Sequence, residues 1–158
     1  GAIAELIASR AASVTCLDTS ERVIEACRRR LAEREHMRFV RGDMHQLPFG
    51  DDSFDQVLLL NCLTYAEAPH TVFREAARVL RPNGSIVGVT LAPHQHQRVV
   101  DGYNHIRLGF EPAQLSGWMR AAGLTVELCE VTSREQRPPH FEIITLHAAS
   151  SSLAKPTS

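Results

Sequence analysis

No run of apolar residues in this 158-residue sequence approaches the roughly 18 needed to cross a bilayer. The beginning of the chain also lacks the charged-then-apolar pattern of a secretion signal, so a cytoplasmic location is the expectation. A surplus of either charge is missing as well. Seventeen Lys+Arg stand against eighteen Asp+Glu, a formal net charge of -1, which gives bulk electrostatics no hold on a nucleic-acid backbone or an anionic membrane. The four cysteines, Cys16, Cys27, Cys62 and Cys129, include no pair at zinc-knuckle or redox spacing, and they read as buried reduced thiols. No internal repeat is visible. The chain opens on Gly1 rather than Met, directly in a helical pattern with no strand before it, and so reads as a piece of a longer protein.

What is present suits one globular domain with a proper core: 44% of residues are hydrophobic and 22% charged. Ile3, Leu6 and Ile7 predict a helix over about 2–10. Val14 to Leu17 form a β-rich run ending at Asp18. Thr19 and Ser20 are good caps for a helix running to about Arg34, with Val23, Cys27 and Leu31 as its buried stripe and Arg28, Arg29 and Arg30 solvated. A short strand over 37–40 closes at Gly42-Asp43, and a Pro- and Gly-containing loop leads to 54–60. The unbroken apolar stretch there predicts a strand buried on both faces, as in a parallel sheet. A helix from Pro69 to Leu80 stops at Arg81-Pro82-Asn83-Gly84 and hands over to a strand at 85–91. Residues 92–110 show neither period and read as an irregular insertion over one end of the sheet. A helix then starts at Glu111-Pro112, buries Leu115, Trp118 and Met119 and stops at Gly123. Strands follow near 125–131 and 141–147, and 148–158 read as a frayed tail.

Alternating strands and helices of these lengths predict an open α/β sheet with helices on both faces, which binds ligands beyond the carboxyl ends of its strands. Asp18, Asp43 and Asn61 stand at three such ends. Asp18 follows Gly1 by seventeen positions, near the distance at which a nucleotide-binding fold places an acidic residue on a ribose. Asp18 reads equally well as a cap for the helix that begins at Thr19, and Asp43 as a turn residue.

The run Arg41-Gly42-Asp43-Met44-His45-Gln46-Leu47-Pro48-Phe49-Gly50-Asp51-Asp52-Ser53-Phe54-Asp55 resembles the GDxxxLPFxDxSFD signature of class I S-adenosylmethionine-dependent methyltransferases, in the branch that includes quinone-biosynthesis enzymes. Arg74 to Ser85 resembles the RExxRVLRPGG segment of the same family, with Asn83 where glycine is usual. The resemblance reaches about residue 147, giving a methyltransferase domain over 1–147 and a tail over 148–158. It implies a Rossmann-like sheet of order 3-2-1-4-5-7-6. The first family strand and the first two glycines of the cofactor loop are absent, which separates strands 3-2 from 4-5-7-6.

By position, the resemblance makes Gly1 the last glycine of the cofactor loop. Asp18, with Thr19 beside it, becomes the acceptor of the ribose hydroxyls, and Asp43 the acceptor of the adenine amino group, with Met44 packed on the base. Asn61 and Cys62 would stand where the methionine part of the cofactor and the acceptor meet. The implied function is methyl transfer from S-adenosylmethionine to a small-molecule acceptor, with no nucleic-acid or membrane partner for this domain itself. No catalytic triad is expected, because the sulfonium methyl is already activated. If the acceptor needs deprotonation, Tyr65, His70, His94, His96 and His105 are the nearby bases. His94-x-His96 with His105 is a weak zinc pattern without a Cys or carboxylate partner, so no metal is expected. Residues 91–110 further resemble methyltransferase domains fused behind ArsR-type repressors. That likeness supplies the alternative, a non-catalytic domain that senses S-adenosylmethionine or S-adenosylhomocysteine. An NAD-dependent oxidoreductase would share the logic of Asp18 but leaves 42–55 unexplained.

Overall fold

In the computed structural model, residues 7, 9–31, 34–95 and 106–151 are described, and they fall in two units, Gly1–Pro48 and Phe49–Ser158. Of the helix expected over 2–10, residues 2–6 and 8 lie outside them. In the first unit, β1 (Val14–Asp18) pairs in parallel with β2 (Met37–Arg41), in a register running from Val14 opposite Met37 to Asp18 opposite Arg41. Between them, α1 spans Glu21–Arg30 and is capped by Ser20, whose Oγ accepts the Val23 N–H at 3.4 Å. Glu21 in the first turn and Arg28, Arg29 and Arg30 in the last complement the helix dipole.

Helix α1 corrects the sequence reading twice. It ends at Arg30 rather than near Arg34, because Leu31 leaves helical geometry. Its stripe is Ile24, Cys27 and Leu31; Val23 is 40% exposed while Ile24 is 1% exposed. Both sets have helical spacing, and only packing against the sheet chooses between them. Leu31 and Met37 centre a small core completed by Val14, Cys16 and Phe39.

The second unit is built on a mixed sheet of order β3-β4-β6-β5. Strand β3 (Phe54–Leu60) runs parallel to β4 (Leu80–Leu91), and β6 (Glu142–Ala149) runs antiparallel to both β4 and β5 (Thr125–Arg134). Helix α2 (Pro69–Val79) carries Pro at its first position, where no helical N–H is lost. It packs on β4 and against α3 (Pro112–Ala121), which in turn packs on β5. Along β4, Ile86, Gly88 and Thr90 are buried while Val87 and Val89 are half-buried, the period-two mark of one covered face. Phe73, Leu115, Met119, Ile144 and Leu146 fill that side with no exposed surface.

Three further expectations need correction in this unit. Strand β3 buries Leu59 but leaves Leu60 38% exposed, so its two faces are not equally covered there. The stop at Arg81-Pro82-Asn83-Gly84 sits inside β4 as an irregularity: Phe54 pairs with Leu80 and Gln56 with Ser85, so these four residues stand opposite the single Asp55 before the strand resumes its pairing. Strand β6 extends into the stretch read as tail, with Ala148 fully buried and the Ser150 N–H donating to the Gly84 carbonyl at 2.8 Å. The stop at Gly123 holds. Its φ of 82° turns the chain out of α3 while the Leu124 N–H closes on the Met119 carbonyl at 3.1 Å.

Truncating Phe73 to Ala will lower stability to chemical denaturation by roughly 3–5 kcal/mol, whereas Leu60→Thr will stay within about 0.5 kcal/mol. Equal losses would show that the second face of β3 is packed too.

Candidate functional site

The parallel pairing of β1 and β2 delivers two carboxylates to the same end of one small sheet. Asp18 is the last residue of β1, and Asp43 stands two residues beyond Arg41 at the end of β2. The ends are tied together: the Gly42 N–H donates to the Asp18 carbonyl at 3.1 Å, and Arg41 Nε donates to the Thr19 carbonyl at 3.2 Å. Asp18 Oδ1 accepts the Ser20 N–H at 2.8 Å, an Asx turn that leads the chain into α1. Asp43 begins a second turn, closed by the Gln46 N–H on the Asp43 carbonyl at 3.1 Å. Its Oδ1 accepts both the His45 N–H at 2.8 Å and His45 Nδ1 at 2.7 Å. Those bonds, the backbone one foremost, hold the Asp43 carboxyl below the usual carboxylate range. Asp18, Thr19, Asp43 and Met44 are thus brought together; Gly1 lies outside the described residues.

Asn61 and Cys62 belong to the second unit, at the carboxyl end of β3. Asn61 takes a left-handed φ of 53° while its N–H donates to the Val89 carbonyl at 3.0 Å, so the chain turns off the sheet there. Cys62 begins the short 3-10 turn Leu63–Tyr65, and burial pushes its thiol up to about 11. The irregular segment leaves and returns at this end. The His94 N–H donates to the Leu108 carbonyl at 3.0 Å and the Phe110 N–H to the Leu91 carbonyl at 2.9 Å. Between them Gly109 has a φ of 97°, and a side chain there would overlap the Ala92 carbonyl. Arg107 staples the returning segment to the turn after β3, donating from Nε to the Ala66 carbonyl at 3.1 Å and from Nη2 to the Glu67 carbonyl at 2.7 Å. Of the proposed bases, Tyr65 and His70 are exposed, and His94 lies 4.5 Å from the Phe141 ring. His96 and His105 lie outside the described residues, among which no three side chains could hold a metal ion.

The two sequence signatures meet through arginines that the sequence reading passed over. Arg78 Nη1 donates to the Phe49 carbonyl and to Asp51 Oδ1, both at 2.8 Å, while Nε and Nη2 grip Glu75 at 3.0 and 2.9 Å. Arg81 reaches both oxygens of Asp55, at 3.0 and 3.1 Å. Glu75 first, then Asp51, raises the Arg78 guanidinium above its ordinary value. The signal available was the recurrence of Asp in one motif and Arg in the other.

A family model described as a methyltransferase domain matches residues 1–88. The chain belongs to that family. A demethylmenaquinone methyltransferase of Clavibacter sepedonicus is 40% identical, covering 93% of this chain and 68% of its own length. A Bacillus halodurans C-125 protein solved as a candidate methyltransferase superposes with a TM-score of 0.81 at 17% identity, over 96% of this chain and 88% of its own. The geranyl diphosphate C-methyltransferase of Streptomyces coelicolor A3(2), solved with Mg2+, geranyl diphosphate and S-adenosyl-L-homocysteine, superposes with a TM-score of 0.78 at 15% identity, over 92% of this chain and 66% of its own. At these identities the two structures establish the fold. The Rossmann-like class I methyltransferase architecture and the enzyme class expected from the sequence, an S-adenosylmethionine-dependent methyltransferase, are both borne out. The described strands form the parallel β1-β2 pair and the mixed β3-β4-β6-β5 sheet. Among the described residues no helix is long and apolar enough to cross a membrane.

A thiol shifted to about 11 is ionised about once in a thousand at pH 8, against roughly one in ten at the ordinary value of 9.0. Alkylation of Cys62 by iodoacetamide, mapped by peptide mass, will therefore run about a hundredfold slower in the folded chain than in the denatured one at pH 8, and will speed up about tenfold per pH unit up to about pH 11. Equal folded and denatured rates would show that burial does not protect the thiol.

Proposed function

We propose that this methyltransferase domain holds S-adenosylmethionine through Asp18 and Asp43 and passes its methyl group to a small-molecule acceptor. The observation that carries the reading is the pair of carboxylates following adjacent parallel strands, each with one oxygen bound locally and the other left to a ligand. Asp18 accepts the ribose hydroxyls, and Asp43 accepts the adenine amino group. Half-buried Met44 lays its polarizable side chain on the base. In the second unit, the Cys62 thiol kept neutral by burial offers an apolar surface rather than a nucleophile. The cofactor supplies an activated sulfonium methyl, so the protein's work is to hold the acceptor in line and exclude water. The stem closed by Gly109 and stapled by Arg107 is suited to covering the acceptor. The likeness to the Clavibacter sepedonicus protein makes demethylmenaquinone the first acceptor to offer.

Calorimetric titration of S-adenosylhomocysteine into the chain and its Asp18→Ala variant tests the reading. Saturable binding is expected, weakened roughly thirtyfold in the variant by the loss of two charge-assisted hydrogen bonds. Equal affinities, or no binding by the unaltered chain, would overturn it.

A further inference from the structure

We propose that His45 is a positioning residue for recognition of the adenine base: its ring locks the Asp43 carboxylate so that Oδ2 is presented to the base. The proposal rests on the reading of Asp43 as the acceptor of the adenine amino group. Its basis is the geometry of a single oxygen. Asp43 Oδ1 takes the His45 N–H at 2.8 Å and the Nδ1–H of the same residue at 2.7 Å, the carboxylate being unable to donate. Two donors converging on Oδ1 fix the carboxylate about its last torsion and leave Oδ2 unengaged by either.

The exposures agree with a backing role. The His45 side chain is 23% exposed and that of Asp43 is 59% exposed, so the ring lies behind a carboxylate open to solvent. The backbone half of the arrangement is an ordinary Asx turn that any residue at position 45 would supply. The ring bond is not, since among common side chains few place a donor one bond beyond Cγ. The lowered Asp43 carboxyl is consistent with both donors acting on the charged form.

The test compares S-adenosylhomocysteine with S-inosylhomocysteine, in which the amino group is replaced by an oxo group that cannot donate to a carboxylate. The ratio of the two dissociation constants, measured by calorimetry on one protein sample, cancels any loss of folded fraction. In the unaltered chain the adenine compound is preferred. His45→Ala will reduce that preference about fivefold, the scale of one solvent-accessible hydrogen bond to a charged group. His45→Asn, whose amide nitrogen is attached to Cγ as Nδ1 is, will recover most of it. Asp43→Ala supplies the reference. If Asp43→Ala reduces the preference and His45→Ala does not, the role of His45 is overturned and that of Asp43 stands. A preference unchanged in both variants, or no binding by the unaltered chain, overturns the reading of Asp43 and the proposal with it. Failure of His45→Asn to recover the preference also counts against a donor role for the ring.

Discussion

The guanidinium of Arg78 is the tie on which the second unit's order depends. It sits at the end of α2 and reaches the turn before β3, gripping the Phe49 carbonyl and Asp51 on one side and Glu75 on the other. The backbone repeats the connection, for the Asp52 and Ser53 N–H groups donate to the carbonyls of Arg78 and Val79 at 3.3 and 2.8 Å. Beside it, Arg81 holds Asp55 and the Asp52 carbonyl. An exposed ion pair alone would contribute little. Here Arg78 is only 30% exposed and Glu75 14%, and the bonds are bidentate and networked, conditions under which such contacts hold geometry. What they hold is the entry of β3 beside the start of β4.

That entry sets the other end of the strand. Because β3 and β4 are parallel, fixing Phe54 opposite Leu80 and Gln56 opposite Ser85 fixes Leu60 opposite Val89, and so fixes where Asn61 must turn away. The turn needs left-handed backbone, which asparagine tolerates better than other residues with a Cβ. Asn83 does the same service between the two registers of β4, with a φ of 64°. The glycine usual at that family position and the asparagine found here answer one conformational demand. At both bends the left-handed backbone falls on asparagine, and Cys62 is left in a defined, half-buried place next to the first of them.

Much of this was legible in the linear pattern, for physical reasons that also mark its limit. Strand ends punctuated by Asp, Gly and Asn located β1, β2 and β3, and Pro69, Pro112 and Gly123 located helix boundaries, because proline restricts the backbone and Gly, Asn and Asp accept turn conformations wherever they stand. Burial was less legible. Val23 and Ile24 are adjacent and equally apolar, and only the direction of the sheet tells them apart. Leu60 continues an apolar run yet is exposed, since a run records hydrophobicity and not how many faces are covered. Arg81 to Gly84 looked like the end of one element and the start of another because a local sequence cannot show that a strand resumes its pairing beyond an irregularity. The partners of Arg78, Arg81 and Arg107 lie 26 to 41 residues away in sequence where they are not local, beyond any short motif.

On the proposed reading, a local role and a ligand role coexist in the two aspartates. From spacing, Asp18 was either a helix cap or a ribose acceptor, and Asp43 either a turn residue or an acceptor for the base. A carboxylate has two oxygens, and the alternatives dissolve once they are counted. Asp18 uses Oδ1 on the Ser20 N–H and Asp43 uses Oδ1 on His45, so each side chain closes its own turn with half of its accepting capacity. The bond that closes the turn also removes rotational freedom from the side chain, and less of that freedom remains to be lost when a ligand binds. On the proposed reading, the turn chemistry that made these positions look merely structural is a condition for their use in recognition. It also explains why both stand at or just past the ends of parallel strands, where the chain must turn in any case.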